Sequence, residues 1–266
     1  MNTHPSNRSR RFWRRFVSLF LVGLIGIVTL PFFLVRFLPS LDLPPSAPSL
    51  PLLVVLSLIQ PTLLLAGAVA LGTALAPRLQ LRSHIAERAE SGTPIWNSLR
   101  DEMWIAVGLG VLVGVVIMLL DAVVFKPQLE SFFAKAEEIQ PRGIGATLTG
   151  LFFGGLTEEL LMRWGLLSLF AWGFWRLFQR NQNAPNLWVM WSAIISVALV
   201  FGLGHLPAAA AIEPLTAPLV IRTISLNGFA ALFFGWLFWR RSLEAAMISH
   251  ATVHVVFSIV VWFGFS

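Results

Sequence analysis

Apolar residues run through this chain in long blocks rather than in the periodic stripes of a soluble helical protein. The blocks fall near 16–38, 50–76, 103–125, 144–165, 187–211, 217–239 and 243–266, with a further apolar stretch at 166–178. About 20 residues at 1.5 Å rise each carry a helix across a hydrocarbon core, so each of the seven can make one crossing. Segments such as Val107–Leu120 are apolar on every side, whereas a membrane strand would alternate. The pattern predicts an all-α, polytopic transmembrane helix bundle of seven or eight helices, in which 166–178 continues the preceding helix or lies at the interface. Leu43-Pro44-Pro45-Ser46-Ala47-Pro48 reads as a short external turn, and 77–102 as a polar cytoplasmic loop without chemistry of its own. The chain divides into residues 1–143, which hold the N-terminal transmembrane helices and that loop, and 144–266, where polar residues enter the apolar blocks.

Composition agrees with lipid as the natural solvent: 56% of residues are apolar, 12% are charged and the mean hydropathy is +0.77. The formal charge of +6 does not point to nucleic acid, because the cations cap the apolar blocks instead of forming a soluble basic face. Arg8, Arg10, Arg11, Arg14 and Arg15 precede the first block, and Arg78, Arg82, Arg88 and Arg100 follow the second. Both regions are expected in the cytoplasm, the N-terminus with them. Arg176, Arg180, Arg240 and Arg241 fall on the same side if 144–180 crosses once, which leaves Lys126, Lys135 and Arg142 in an external loop and the C-terminus outside. Ser9-Arg10-Arg11-Phe12 has a twin-arginine look, but no small-residue cleavage site follows, so an uncleaved first helix is expected. The absence of cysteine excludes disulfides, thiolate metal sites and a cysteine nucleophile.

A charged side chain at the centre of a spanning helix costs about 2.5–3.5 kcal/mol on insertion scales, so the ionisable residues within the blocks need a reason. Thr157-Glu158-Glu159-Leu160-Leu161-Met162-Arg163 follows the apolar stretch from Ile144. Glu159 and Arg163 are four apart and can pair on one helical face; Glu158, about 100° round the helix, has no such partner and is left for chemistry. His205 ends Phe201-Gly202-Leu203-Gly204-His205, where glycines and Pro207 loosen the helix. His250 and His254 again share a face. Three of the five histidines and two adjacent glutamates thus lie in apolar spans that can bring them to one cavity, and imidazole and carboxylate are the groups that bind metals or move protons near neutral pH. Gly150 and Gly154 continue to Glu158 on one face and favour close helix packing there. Arg222 and Asn227 are placed to line the same cavity.

These residues resemble a known family. Glu158-Glu159 with Arg163 matches an EExxxR motif, Phe201 with His205 matches FxxxH, and His250 begins a third motif of the HxxxN kind, in the order and with the intervals found in the CAAX prenyl protease 2 family, also called the CPBP or Abi family. The likeness covers about residues 144–260. It implies a multi-pass intramembrane endopeptidase of the bacterial cell membrane, acting on a membrane-associated protein or peptide and not on nucleic acid. By that likeness Glu158 and His205 activate water, Arg163 holds Glu159, and His250 contributes to a metal site or stabilises the oxyanion. Zinc held by Glu158, His205, His250 and His254 is one version; metal-free, glutamate-dependent hydrolysis is the other. The departure is His254, which stands where asparagine is commonest. A histidine can ligate a metal through an unprotonated nitrogen, whereas asparagine donates without titrating. Family members that serve as scaffolds or in bacteriocin immunity supply the alternative, non-enzymatic expectation, and a proton-coupled carrier is a third.

Overall fold

The computed structural model describes residues 5–41, 43–139, 141 and 143–263, and every regular element among them is helical. Helices α1 (Pro5–Phe37), α2 (Leu50–Ser57), α3 (Ile59–Leu75), α4 (His84–Ser91), α5 (Ile95–Leu120) and α6 (Glu130–Ile139) make the N-terminal part. A continuous helical run, 144–178, follows: α7 (Ile144–Thr149), two wide-turned segments π1 (Gly150–Glu158) and π2 (Leu160–Leu167), and α8 (Ser168–Phe178). The chain ends in α9 (Leu187–Gly204), α10 (Leu206–Ala210), α11 (Ala217–Arg240) and α12 (Leu243–Trp262).

Among the described residues, six helical stretches are long and apolar enough to cross a membrane: Arg8–Ser40, Leu50–Leu79, Ile95–Gln128, Leu187–Ala210, Ala217–Arg240 and Leu243–Trp262. Each answers to one predicted block. The seventh block, 144–165, is the charged run itself, and 166–178 continues it without a break. The chain is an integral membrane protein, and its polarity is arranged accordingly. Trp104, Leu119, Val123, Leu187 and Leu199 are exposed, whereas Thr157, Glu159, Arg163, Ser249 and His250 are buried.

Two expectations change. Helices α1 and α5 start at Pro5 and Ile95 rather than near 16 and 103, because a helix leaving the hydrocarbon can continue through polar residues that an apolar count ignores. The segment 77–102 is also not a loop throughout. Ser83 caps α4, its Oγ accepting from the Ala86 N–H at 3.2 Å, and the same hydroxyl donates to Glu244 at 2.6 Å. The Glu244 carboxylate, in the first turn of α12, also accepts the backbone N–H groups of His84 (2.9 Å) and Ile85 (3.0 Å). His84 Nε2 lies 3.2 Å from Glu102 Oε2, and Ser242 donates to that same oxygen. The hydrogen bond to Glu102 holds the His84 imidazole above the usual histidine range. This polar dock anchors the start of α12 about two turns before His250. The cation Arg142 lies outside the described residues.

Helix packing around the charged run is close because small residues face it. Segment π1 lies between α1 and α12, and π2 packs on α3. A Cβ on Gly26 of α1 would sit 2.1 Å from Thr157 Oγ1 and 2.3 Å from the Phe152 carbonyl, and Thr157 Oγ1 donates to the Gly23 carbonyl at 2.7 Å. On the other side, a Cβ on Gly155 would meet Ala251 at 2.9 Å. Without a hydrophobic force between helices in lipid, such backbone approach is the main source of association.

Candidate active site

The ionisable residues converge where π1, α9, α11 and α12 meet. Glu158 ends π1 and Glu159 is the junction before π2, so the spacing read as an ordinary helix is here wound wide on both sides of the pair, a rare geometry that occurs mostly at functional sites. The expected pair forms, Arg163 Nη1 lying 3.1 Å from Glu159 Oε1 with both side chains fully buried. Glu159 does more than balance the arginine. The same Oε1 accepts from His250 Nδ1–H at 2.8 Å, which leaves Nε2 of a neutral His250 unprotonated. Glu158 points elsewhere: its side chain keeps 20% exposure and its Oε2 is 3.9 Å from His250 Nε2. That gap is too long for a direct hydrogen bond and short enough for one bridging water.

Two aromatic rings hold this assembly together. The Arg163 guanidinium carbon lies 5.1 Å from the Phe201 ring centroid and 5.3 Å from that of Phe234, and Nη2 donates to the Ala231 carbonyl at 3.2 Å. Phe234 stacks on His250 at 4.6 Å, and Phe201 meets the same imidazole edge-on at 6.1 Å. Arg163 Nε and Nη1 and Glu159 Oε2 make no hydrogen bond, so apart from the Nη2 bond the cation is held by charge and by the ring faces.

His205 stands at the break between α9 and α10, where the glycines and Pro207 predicted a loosened helix. Its ring lies 4.6 Å from that of Phe201, and its Nδ1–H donates to the Phe201 carbonyl at 2.8 Å. Its Nε2 therefore carries the lone pair. His254 stacks on His250 at 5.2 Å. Gly150 and Gly154 make room for these rings: a Cβ on Gly150 would come within 2.5 Å of His254 Nδ1, and one on Gly154 within 2.8 Å of His254 Nε2 and 3.3 Å of His250 Nε2. The glycine face that read as helix packing is thus the floor under two histidines. Gly154→Ala is expected to displace both imidazole rings, read as shifted His250 and His254 ring resonances, with only a small loss of thermal stability; unshifted ring signals would show that the added methyl is accommodated elsewhere.

Glu158, His205, His250 and His254 all line one cavity of about 810 Å3, together with Asn227 and Arg222. Arg222 is held in bidentate fashion by Asp121 (2.7 and 2.5 Å), and Asn227 donates to the Thr223 carbonyl at 2.8 Å. Asp121 and Phe234 were not singled out in the sequence, the first because it closes an apolar block, the second because α11 is apolar on too many sides to mark an inner face. A catalytic zinc needs three protein side chains. Among the described residues no group of three His, Cys, Asp or Glu side chains is arranged to hold a metal ion.

Fold and site together define a class: a membrane-embedded helical bundle that keeps a carboxylate beside an imidazole in an internal cavity. Residues 140–256 match the profile of the type II CAAX prenyl endopeptidase Rce1-like family. That stretch contains every residue of the carboxylate and histidine cluster. Neither a curated protein nor a solved structure matches the chain.

Proposed function

We propose that the chain is an intramembrane endopeptidase that hydrolyses a peptide bond of a membrane-associated substrate, with Glu158 as general base. The observation that carries this reading is the 3.9 Å approach of Glu158 to a His250 whose other nitrogen is tied to the buried Glu159. A water seated between them gives its proton to Glu158 while its oxygen attacks the scissile carbonyl. The tetrahedral oxyanion is met by a ring N–H of His254, which stacks on His250. Collapse breaks the C–N bond, and the leaving nitrogen takes the proton from Glu158. His205, with its Nε2 lone pair facing the same cavity, assists the transfer.

The orientation is part of the proposal: the arginine-rich N-terminus lies in the cytoplasm of a bacterial cell. The test is cleavage of a single-span reporter peptide by the purified chain in liposomes. Wild type is expected to cut it, His205→Ala to cut it about 10²-fold more slowly or worse, and a zinc chelator to leave the wild-type rate unchanged. Loss of activity on chelation would overturn the metal-free route. A folded wild type that cuts no reporter would favour a scaffold or immunity role.

A further inference from the structure

The charge distribution says which side of the membrane the cavity faces. At one end of the bundle, α4 gathers the basic segments: Arg11 and Arg15 pair with Glu90, the Leu243 N–H donates to the Arg82 carbonyl, and Arg240 and Arg241 lie just before α12. At the opposite end the cations are matched by acids. Arg222 is paired with Asp121 and lies over the Phe132 and Phe133 rings of α6. Lys135 meets Glu213 at 3.4 Å. Arg36 and Lys126 also belong to this end, but so do Glu130, Glu137 and Glu138. Excess arginine marks the cytoplasmic end, so the second end is outside.

The cavity opens at that second end. Its mouth is lined by Lys126, Phe133, Glu137 and Arg222, and Met118 and Val260 carry its wall inward to Glu158 and His250. Toward the basic end the way is filled: Trp164, Leu237, Phe238 and Leu243 are each no more than 1% exposed, and the Glu244, Ser83 and His84 dock closes the surface beyond them. We infer that the cavity admits its substrate from the extracytoplasmic side, and that the substrate is a membrane-anchored polypeptide whose scissile bond lies in or beside the outer half of the bilayer. The apolar wall accepts a hydrophobic segment, and the mixed charges at the mouth meet the polar flank that follows it. The substrate half of this inference rests on the peptidase reading; the orientation does not.

Because the natural chain has no cysteine, single-cysteine variants of the full chain report position directly. In right-side-out membrane vesicles a membrane-impermeant maleimide is expected to label Glu137→Cys and Met118→Cys, and to label Ser91→Cys, on α4, only after permeabilisation. The reverse pattern would overturn the orientation, and failure of Met118→Cys to label from either side would overturn the open mouth. In a second arm, two single-span reporters carry the same cleavable sequence on the extracytoplasmic or the cytoplasmic flank. Cleavage of the first alone supports the substrate class, and cleavage of the second overturns it. Outward labelling with neither reporter cut would uphold the orientation and sink both the substrate class and the peptidase reading.

Discussion

Glu158→Gln is expected to lower peptide cleavage by about 10²–10⁴-fold, the usual contribution of a general base, while leaving the folded protein as stable as wild type. The amide keeps the size of the carboxylate but cannot take a proton from water. Stability should be spared because Glu158 is partly exposed to the cavity and stands 3.9 Å from His250, too far for a direct hydrogen bond. The comparison is a single-turnover cleavage rate set beside a thermal unfolding scan in the same detergent. A variant that cuts within tenfold of wild type would remove Glu158 from the base position and shift attention to His205.

The neighbouring glutamate should behave in the opposite way. Glu159→Ala leaves Arg163 fully buried with its charge uncompensated, and breaking a buried pair by removing one partner costs about 3–5 kcal/mol. The unfolding temperature should fall steeply, and activity should fall too, because His250 Nδ1 loses the acceptor 2.8 Å away that fixes its tautomer. The two losses can be separated. In the double variant Glu159→Leu with Arg163→Met the buried charges are replaced by apolar groups of similar size, an exchange that is often neutral or stabilising. Stability should return while cleavage stays lost. If Glu159→Ala melts with the wild type, the pair is not the prop that its burial indicates; if the double variant cleaves, Glu159 does not position His250.

Much of this architecture was legible before the fold was known. Ionisable residues in apolar blocks announce themselves through their insertion cost, so Glu158, Glu159, Arg163, His205, His250 and His254 could be gathered as one set, and the spacing of four predicted the Glu159–Arg163 pair that forms. What the spacing could not tell was which helix faces which. The bond from His250 to Glu159 spans 91 positions, and no local pattern encodes it. The wide winding of π1 and π2 was hidden as well, since residues four apart remain neighbours in either geometry. Phe234 illustrates a further limit: in water its face of α11 would be marked by polar residues opposite, but in lipid both faces are apolar and periodicity loses its meaning. The dock of α4 on α12 was missed for a different reason. Ser83 and His84 fell in a segment read as a polar loop, and Glu244 was not singled out.

Phe201 and Phe234 each touch both the buried guanidinium and the His250 ring. An evolutionary consequence follows from that double duty. A smaller side chain at either position loosens a cation that cannot be hydrated and, in the same stroke, an imidazole that must stay aimed, so neither ring can drift by itself. Arg163, Phe201, Phe234 and His250 should change together or not at all, and a lineage that gives up hydrolysis should lose all four constraints at once.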